Sequence, residues 1–169
     1  GGQLNYMMPK VDWNTGSIGH AFGVCAGVAL ASKIDRNNKK AWCLVGDAEM
    51  AEGSIWEAII FAGNHNLKNL ICIIDRNMLS ATDTVAQDKI FNNLGETVQN
   101  LGWQSYTFNG HNFEDITNAF LFARQARAPT LLIAHTVKGK GVSFMENNVK
   151  WHYGIPSEAE YVLAVKELS

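Results

Sequence analysis

Two oxygen-bearing residues thirty positions apart frame the chemistry open to this chain. Asp47 lies in Gly46-Asp47-Ala48, straight after a short apolar run, and Asn77 lies in Asp75-Arg76-Asn77, straight after another. A strand, a crossover helix and a second strand would bring both to one edge of a parallel sheet, where their oxygens can converge on one ion. A carboxylate, an amide oxygen, a backbone carbonyl and phosphate oxygens suit a hard divalent cation such as Mg2+, shared with a bound phosphate rather than caged. Gly46 and the small Ala48 allow close backbone approach to such a phosphate, and a helix beginning near residue 50 would aim free N–H groups at it. Lys138, in the basic glycine-rich TVKGKG at 136–141, and His152 can close around the same anion. Taken singly, Asp47 also reads as a helix cap and Asn77 as a turn residue. Together, at matched strand exits, they point to a metal–phosphate site.

The elements that must hold these residues follow from periodicity. Apolar runs at 41–45 (AWCLV), 70–74 (LICII) and 130–134 (TLLIA) predict buried strands, apolar on both faces. Residues 103–108 alternate as a fourth strand. Between 53 and 65, Ile55, Ile59 and Ala62 share one helical face, with Glu49 and Glu52 placed against its positive end. Helices are also expected after TGSIG (15–19), over 90–101, over 112–126 and over 157–168, the last with Ser157 as N-cap ahead of Glu160. The 78–89 stretch is long for a plain connector. Strands alternating with helices predict an α/β fold with a doubly wound parallel sheet in three layers. One domain over residues 1–169 is expected.

Composition excludes several classes. A net charge of −2 leaves no electrostatic footprint for nucleic acid or an anionic membrane. Cys25, Cys43 and Cys72 sit in apolar runs without metal-ligand spacing, as small buried hydrophobes do. With no signal peptide and no apolar run that spans a bilayer, a cytoplasmic protein is expected. Gly1-Gly2-Gln3 lacks an initiator Met, which suggests a fragment or a processed chain. Neither GxxxxGK[ST] nor GxGxxG occurs, so a nucleotide switch lacks support.

The segment from Gly46 to Asn77 resembles the thiamine-diphosphate motif, which opens with Gly-Asp-Gly and closes with Asn. TGSIG, GDAEMAEGSIWEA, LICIIDRN, GHN, APTLLIAHTVKGKG and WHYG fall in transketolase order over nearly the whole chain. The chain is thus similar to the diphosphate-binding domain of transketolase, in particular the animal-type enzymes and the split bacterial ones in which this domain is a separate subunit. The resemblance implies thiamine diphosphate and Mg2+ (or Ca2+) as cofactors. Asp47, Asn77 and the backbone carbonyl of Leu79 would hold the metal. Gly46, Ala48, Lys138 and His152 would hold the diphosphate, Gly16 would accept from the cofactor's amino group, and Ile18 would pack on its thiazolium region. Glu52 matches a glutamate that links two active sites across a dimer interface; its other reading is the helix dipole.

The implied reaction is transfer of a two-carbon ketol unit from a ketose-like donor to an aldehyde acceptor, with chemistry supplied mainly by the cofactor. In transketolases the glutamate that meets the pyrimidine comes from another domain, and no candidate for it appears here. Activity would therefore require a partner carrying the pyrimidine-binding domain, such as a C-terminal-like subunit, with self-association into a heterotetramer.

Four departures qualify the resemblance. Gln3 stands where transketolases carry a donor-contacting histidine; it can hydrogen-bond but cannot act as an acid near neutral pH. Ala48 replaces the motif's second glycine, which is tolerable if φ is negative. His20, a substrate-contact candidate, is equally a polar helix-start residue. The family's segment before Gly1, with two cofactor- and substrate-facing histidines, has no counterpart in this sequence. Two other readings stay open: a catalytically silent scaffold of the same fold, and the decarboxylating subunit of a 2-oxoacid dehydrogenase, against which the KGKG loop and WHYG tail speak.

Overall fold

A computed structural model describes residues 5–9, 11, 13–37, 39–81 and 92–169. Four parallel strands form one sheet: β1 (Ala41–Gly46), β2 (Leu70–Arg76), β3 (Gln104–Asn109) and β4 (Thr130–His135), in spatial order β1-β2-β4-β3. Among the described residues five α-helices accompany them: α1 (His20–Ile34), α2 (Gly53–Asn64), α3 (Leu94–Asn100), α4 (Phe113–Gln125) and α5 (Glu158–Glu167). The expected class, an α/β parallel sheet, is the one observed. Gln3 and residues 82–91 lie outside the described residues.

Register fixes the working edge. Val45 pairs with Ile74 and Gly46 with Asp75, while Asp75 and Arg76 pair with Ala134 and His135. The exits of β1, β2 and β4 are therefore level with one another, and Asp47, Asn77 and Thr136 all emerge at the carboxyl edge.

The main core packs α1, α2 and α3 on one sheet face. Phe22, Ala26 and Ala29 of α1 meet Ile55 and Ile59 of α2, Cys43 and Val45 of β1, and Leu94 and Val98 of α3. The opposite face is covered by α4, where Ala119 and Ala123 pack on Ile71, Phe108, Leu132 and Ala134. Each fully buried aliphatic side chain contributes about 1.5–3 kcal/mol relative to exposure.

β1 departs from expectation. Its residues alternate, with Ala41, Cys43 and Val45 buried but Trp42 39% and Leu44 68% exposed. The reason is position: β1 is the edge strand beyond the reach of α4, whose only ring contact with it is Phe120 stacked on Trp42, centroids 5.0 Å apart. An unbroken apolar run does not distinguish a face covered within the chain from one left bare.

Boundaries shift in two places. The turn after β1 is a 3-10 helix (Ala48–Ala51), so α2 starts at Gly53 rather than near 50. Residues 149–152, where no element is expected from the sequence, form a second 3-10 helix among the described residues (Val149–His152). Ser157 caps α5 as expected, in a full capping box with Glu160. All three cysteines are free, with Cys43 and Cys72 buried.

Candidate functional site

Asp47 leaves β1 buried, at 1% exposure. Its Oδ1 accepts the Ala48 N–H at 2.7 Å and its Oδ2 accepts the Met78 N–H at 2.6 Å. Its own N–H donates to the Asp75 carbonyl at 3.2 Å. The carboxylate thus ties the exit of β1 to that of β2. Met78 can present its N–H this way because its φ is +66°, a left-handed conformation uncommon for a non-glycine residue. Such backbone outliers concentrate at functional sites.

Burial raises the Asp47 pKa above its ordinary value, and the Asp75 charge adds to this; the Met78 and Ala48 amides, and Arg76, oppose it. Asp47 makes no ion pair among the described residues. A divalent cation at its remaining lone pairs would supply the missing counter-charge.

Asn77 is buried and held from both ends. Its Nδ2 donates to Asp75 Oδ2 at 3.1 Å, and its Oδ1 accepts the Leu79 N–H at 3.1 Å. Asp75 Oδ1 in turn accepts a short hydrogen bond from Thr136 Oγ1, at the exit of β4. Thr136 and Asp75 therefore settle which way the Asn77 amide faces, and one Oδ1 lone pair stays available to a cation. Sequence reading assigned no role to Asp75 or Thr136. Their one signal was position, since each sits at the end of, or just after, a buried strand.

Glu49 was also missed, being assigned only to a helix dipole. Its Oε1 accepts the Gly19 N–H at 2.8 Å and its Oε2 accepts the Gly46 N–H at 3.2 Å. Gly19 is the N-cap of α1 with φ +83°. A Cβ there would lie 2.6 Å from Ser54 Oγ and 2.9 Å from Glu52 Cβ, and Ser54 Oγ donates to the Gly19 carbonyl. Glu49 and Ser54 thereby clamp the 15–19 loop onto the β1 exit.

A cleft of about 1190 Å³ opens over these residues. Gly16, Ile18, Gly46, Asp47, Ala48, Asn77, Leu79, Lys138 and His152, drawn from five separate segments, all line it. No Lys138 ammonium contact occurs among the described residues, which leaves it free to meet an anion. His152 stands on the second 3-10 helix, edge-on to Tyr153 at 4.5 Å. Gly46 has open space where a Cβ would be. Ala48 is not left-handed, so alanine at the motif's second glycine position brings no backbone strain.

The N–H groups of Gly46 and Ala48 already serve Glu49 and Asp47, so their part in this conformation is close approach rather than free donation. Glu52 and His20 do not line the cleft. Glu52 is the N-cap residue of α2 and packs behind Gly19, and His20 is the exposed first residue of α1.

The donor set fits a hard cation with a phosphate ligand. Among the described residues no three His, Cys, Asp or Glu side chains converge as a metal group. A metal here would take amide, carbonyl and ligand-phosphate oxygens besides Asp47, as Mg2+ does. Among the described residues no helix is long and apolar enough to cross a membrane.

A parallel sheet with a polar cleft at the carboxyl edge defines an α/β ligand-binding domain. The family described as "Transketolase, thiamine diphosphate binding domain" matches residues 5–168, and the chain belongs to it. An apulose-4-phosphate transketolase subunit of Phocaeicola vulgatus is 40% identical over 96% of this chain and 58% of its own length. The Actinobacillus succinogenes protein of the same name is 32% identical over 99% of this chain and 61% of its own. Human transketolase-like protein 2 is 36% identical over 95% of this chain and 26% of its own. Transketolase from Campylobacter jejuni superposes with a TM-score of 0.77 at 27% identity, over 93% of this chain and 30% of that one. The chain thus spans about three fifths of the two bacterial apulose-4-phosphate relatives and about a quarter of the human one.

Proposed function

We propose that this chain is the diphosphate-binding part of a transketolase-like transferase, a single domain over residues 1–169 that binds thiamine diphosphate with Mg2+. In this reading Asp47, the Asn77 Oδ1 and the Leu79 carbonyl hold the metal. Lys138 and His152 neutralise the diphosphate, which Gly46 and Ala48 allow close to the backbone. Gly16 and Ile18 face the rest of the cofactor, and Gln3, outside the described residues, is assigned to the donor from the resemblance alone. The observation that carries the reading is the meeting, in one cleft, of a buried carboxylate and a lysine that each lack an oppositely charged partner among the described residues.

The bound cofactor supplies the carbon–carbon bond chemistry that moves a two-carbon ketol unit from a ketose-like donor to an aldehyde acceptor. The chain's own contribution is positional. Asp75 and Thr136 orient Asn77, Glu49 fixes the 15–19 loop, and the closed β1–β2 junction keeps Asp47 out of bulk water. Such preorganisation lets fixed charges act without rearranging. Glu52, behind Gly19 and outside the cleft, is suited to a contact with a neighbouring protomer. Both bacterial relatives are named as subunits of a transketolase, which supports a partner that carries the pyrimidine-binding domain, in a hetero-oligomer. A cytoplasmic setting fits small phosphorylated substrates.

Calorimetry with thiamine diphosphate and MgCl2, with and without the partner chain, tests this. Binding that requires both metal and cofactor, and that Asp47→Ala abolishes, is expected. No binding in either setting would overturn the proposal. With the partner, two-carbon transfer between sugars is expected rather than carbon dioxide release from a 2-oxoacid.

A further inference from the structure

The opposite edge of the sheet carries a second polar cavity, of about 580 Å³, that the cofactor reading does not use. Five cations line it: Lys33, Arg36, Lys40, Lys68 and Arg124. They arrive from three separate stretches of chain, and the other polar lining residues are the neutral Asn37, Asn66 and Asn69. No carboxylate lines it among the described residues. In a chain with net charge −2 this concentration is not a reflection of overall basicity.

Part of the cluster has a local explanation. Helices α1, α2 and α4 all end at this edge, and cations favour the negative carbonyl ends of helices. Lys33 Nζ donates to the His65 carbonyl at 2.6 Å, and Lys40 Nζ to those of Ala123 and Arg124 at 3.3 and 3.2 Å. Those two lysines are thereby accounted for.

Arg36, Lys68 and Arg124 are not. None makes a side-chain hydrogen bond or ion pair among the described residues. They are also crowded: burial, then the charges of Arg124 and Lys68, lower the Lys40 pKa. Like charges held together without a counter-charge repel, and a multiply charged anion relieves that repulsion while accepting their hydrogen bonds. The volume lies in the range of small-ligand sites.

The geometry points to a second anion site at the amino edge of the sheet, formed by Arg36, Lys68 and Arg124 and suited to a small polyphosphate or phosphate ester. It does not depend on the thiamine-diphosphate reading, because no residue is shared between the two cavities.

The test is an NMR titration of the amide signals of this chain with inorganic tripolyphosphate at constant ionic strength. Lys138→Ala is included, because tripolyphosphate can also enter the carboxyl-edge cleft. Saturable shifts at residues 36, 68, 69 and 124 are expected, and they persist in Lys138→Ala. The double variant Lys68→Ala/Arg124→Ala should bind at least about tenfold more weakly, given the strength of charge-assisted hydrogen bonds. Both side chains are exposed, and a thermal melt confirms that the variant folds. Equal shifts with chloride, shifts confined to residues 46–48, 138 and 152, or a response to a polyglutamate peptide alone would each overturn the proposal. Adding glucose 6-phosphate or a nucleoside triphosphate in place of tripolyphosphate separates ester from polyphosphate as the preferred ligand.

Discussion

The Asp47 carboxylate accepts the Met78 backbone N–H at 2.6 Å, joining two strand exits that are 31 residues apart in sequence. Replacing Asp47 with alanine leaves that N–H and the Ala48 N–H without their acceptor. A loss of about 1–3 kcal/mol per buried unsatisfied group is expected before any ligand is added. Urea melts of the two proteins without cofactor measure it, and equal midpoints would refute the structural role. Asp47→Asn keeps one acceptor oxygen for the two N–H groups and removes the charge. It should melt between the parent and the alanine variant and lose Mg2+-dependent cofactor binding.

Thr136→Val removes the donor that fixes Asp75, and through it the Asn77 amide. Losses of about 10–100-fold in affinity are typical of such outer contacts to metal ligands. The expected result is that loss in Mg2+ affinity with an unchanged melting temperature. Unaltered affinity would show that Asn77 keeps its orientation without Thr136.

Glu49→Gln retains one acceptor oxygen where two backbone N–H groups need acceptors. Hydrogen exchange at Gly19, Gly46 or both should accelerate, and cofactor affinity should fall by about tenfold through the loosened 15–19 loop. Exchange unchanged at both amides would exclude the clamp.

Two glycine substitutions should move in opposite directions. A Cβ on Gly63 would stand 1.9 Å from the Leu101 carbonyl oxygen, so α2 would have to shift away from the α3–β3 turn. About 1–3 kcal/mol is lost in overpacked sites of this kind, which is several degrees of melting temperature. Gly27, in α1, has open space at the same position, and alanine there should add about 0.5–1 kcal/mol through helix propensity. Calorimetric melting of both variants checks the pair.

His135 contributes to the pH dependence near neutrality. Partial desolvation at the strand exit, then the nearby Arg76 charge, lowers its pKa below the ordinary 6.5. The unfolded chain therefore binds this proton at a higher pH than the folded one, and stability falls as the solution is acidified through and below pH 6.5. His135→Asn should flatten that stretch of the profile, as read from melting temperatures between pH 7.5 and about 5. A parallel profile would assign the dependence to other groups.

The strands and the exits at Asp47 and Asn77 were legible because they rest on local signals: apolar runs, their lengths and the residues that end them. Glu49, Asp75 and Thr136 were not legible as positioning residues. Their partners lie 30 residues off for Glu49 with Gly19 and 61 for Thr136 with Asp75, and no local pattern encodes those distances. The left-handed turn at Met78 carries no residue-type signal either, since methionine is not a residue that seeks φ above zero. The bare face of β1 was misread because Trp42 and Leu44 look like any buried pair. Hydrophobicity records what a residue favours, not whether this stretch of chain supplies a cover. The amino-edge cations were invisible for a simpler reason: three segments contribute them, and each alone looks like an ordinary solvated helix end or turn.

The level register of β1 and β2 restricts which length changes the chain can absorb over evolutionary time. One residue inserted in either strand would turn its inward side chains outward and move Asp47 or Asn77 off the shared edge. Additions to the polar turn at 65–69, on the far side of the sheet, leave both exits where they are. Length variation among functional homologues should therefore collect at the amino edge and spare the two strands. An engineer grafting this cleft onto another sheet would have to preserve residue count within each strand before preserving residue identity.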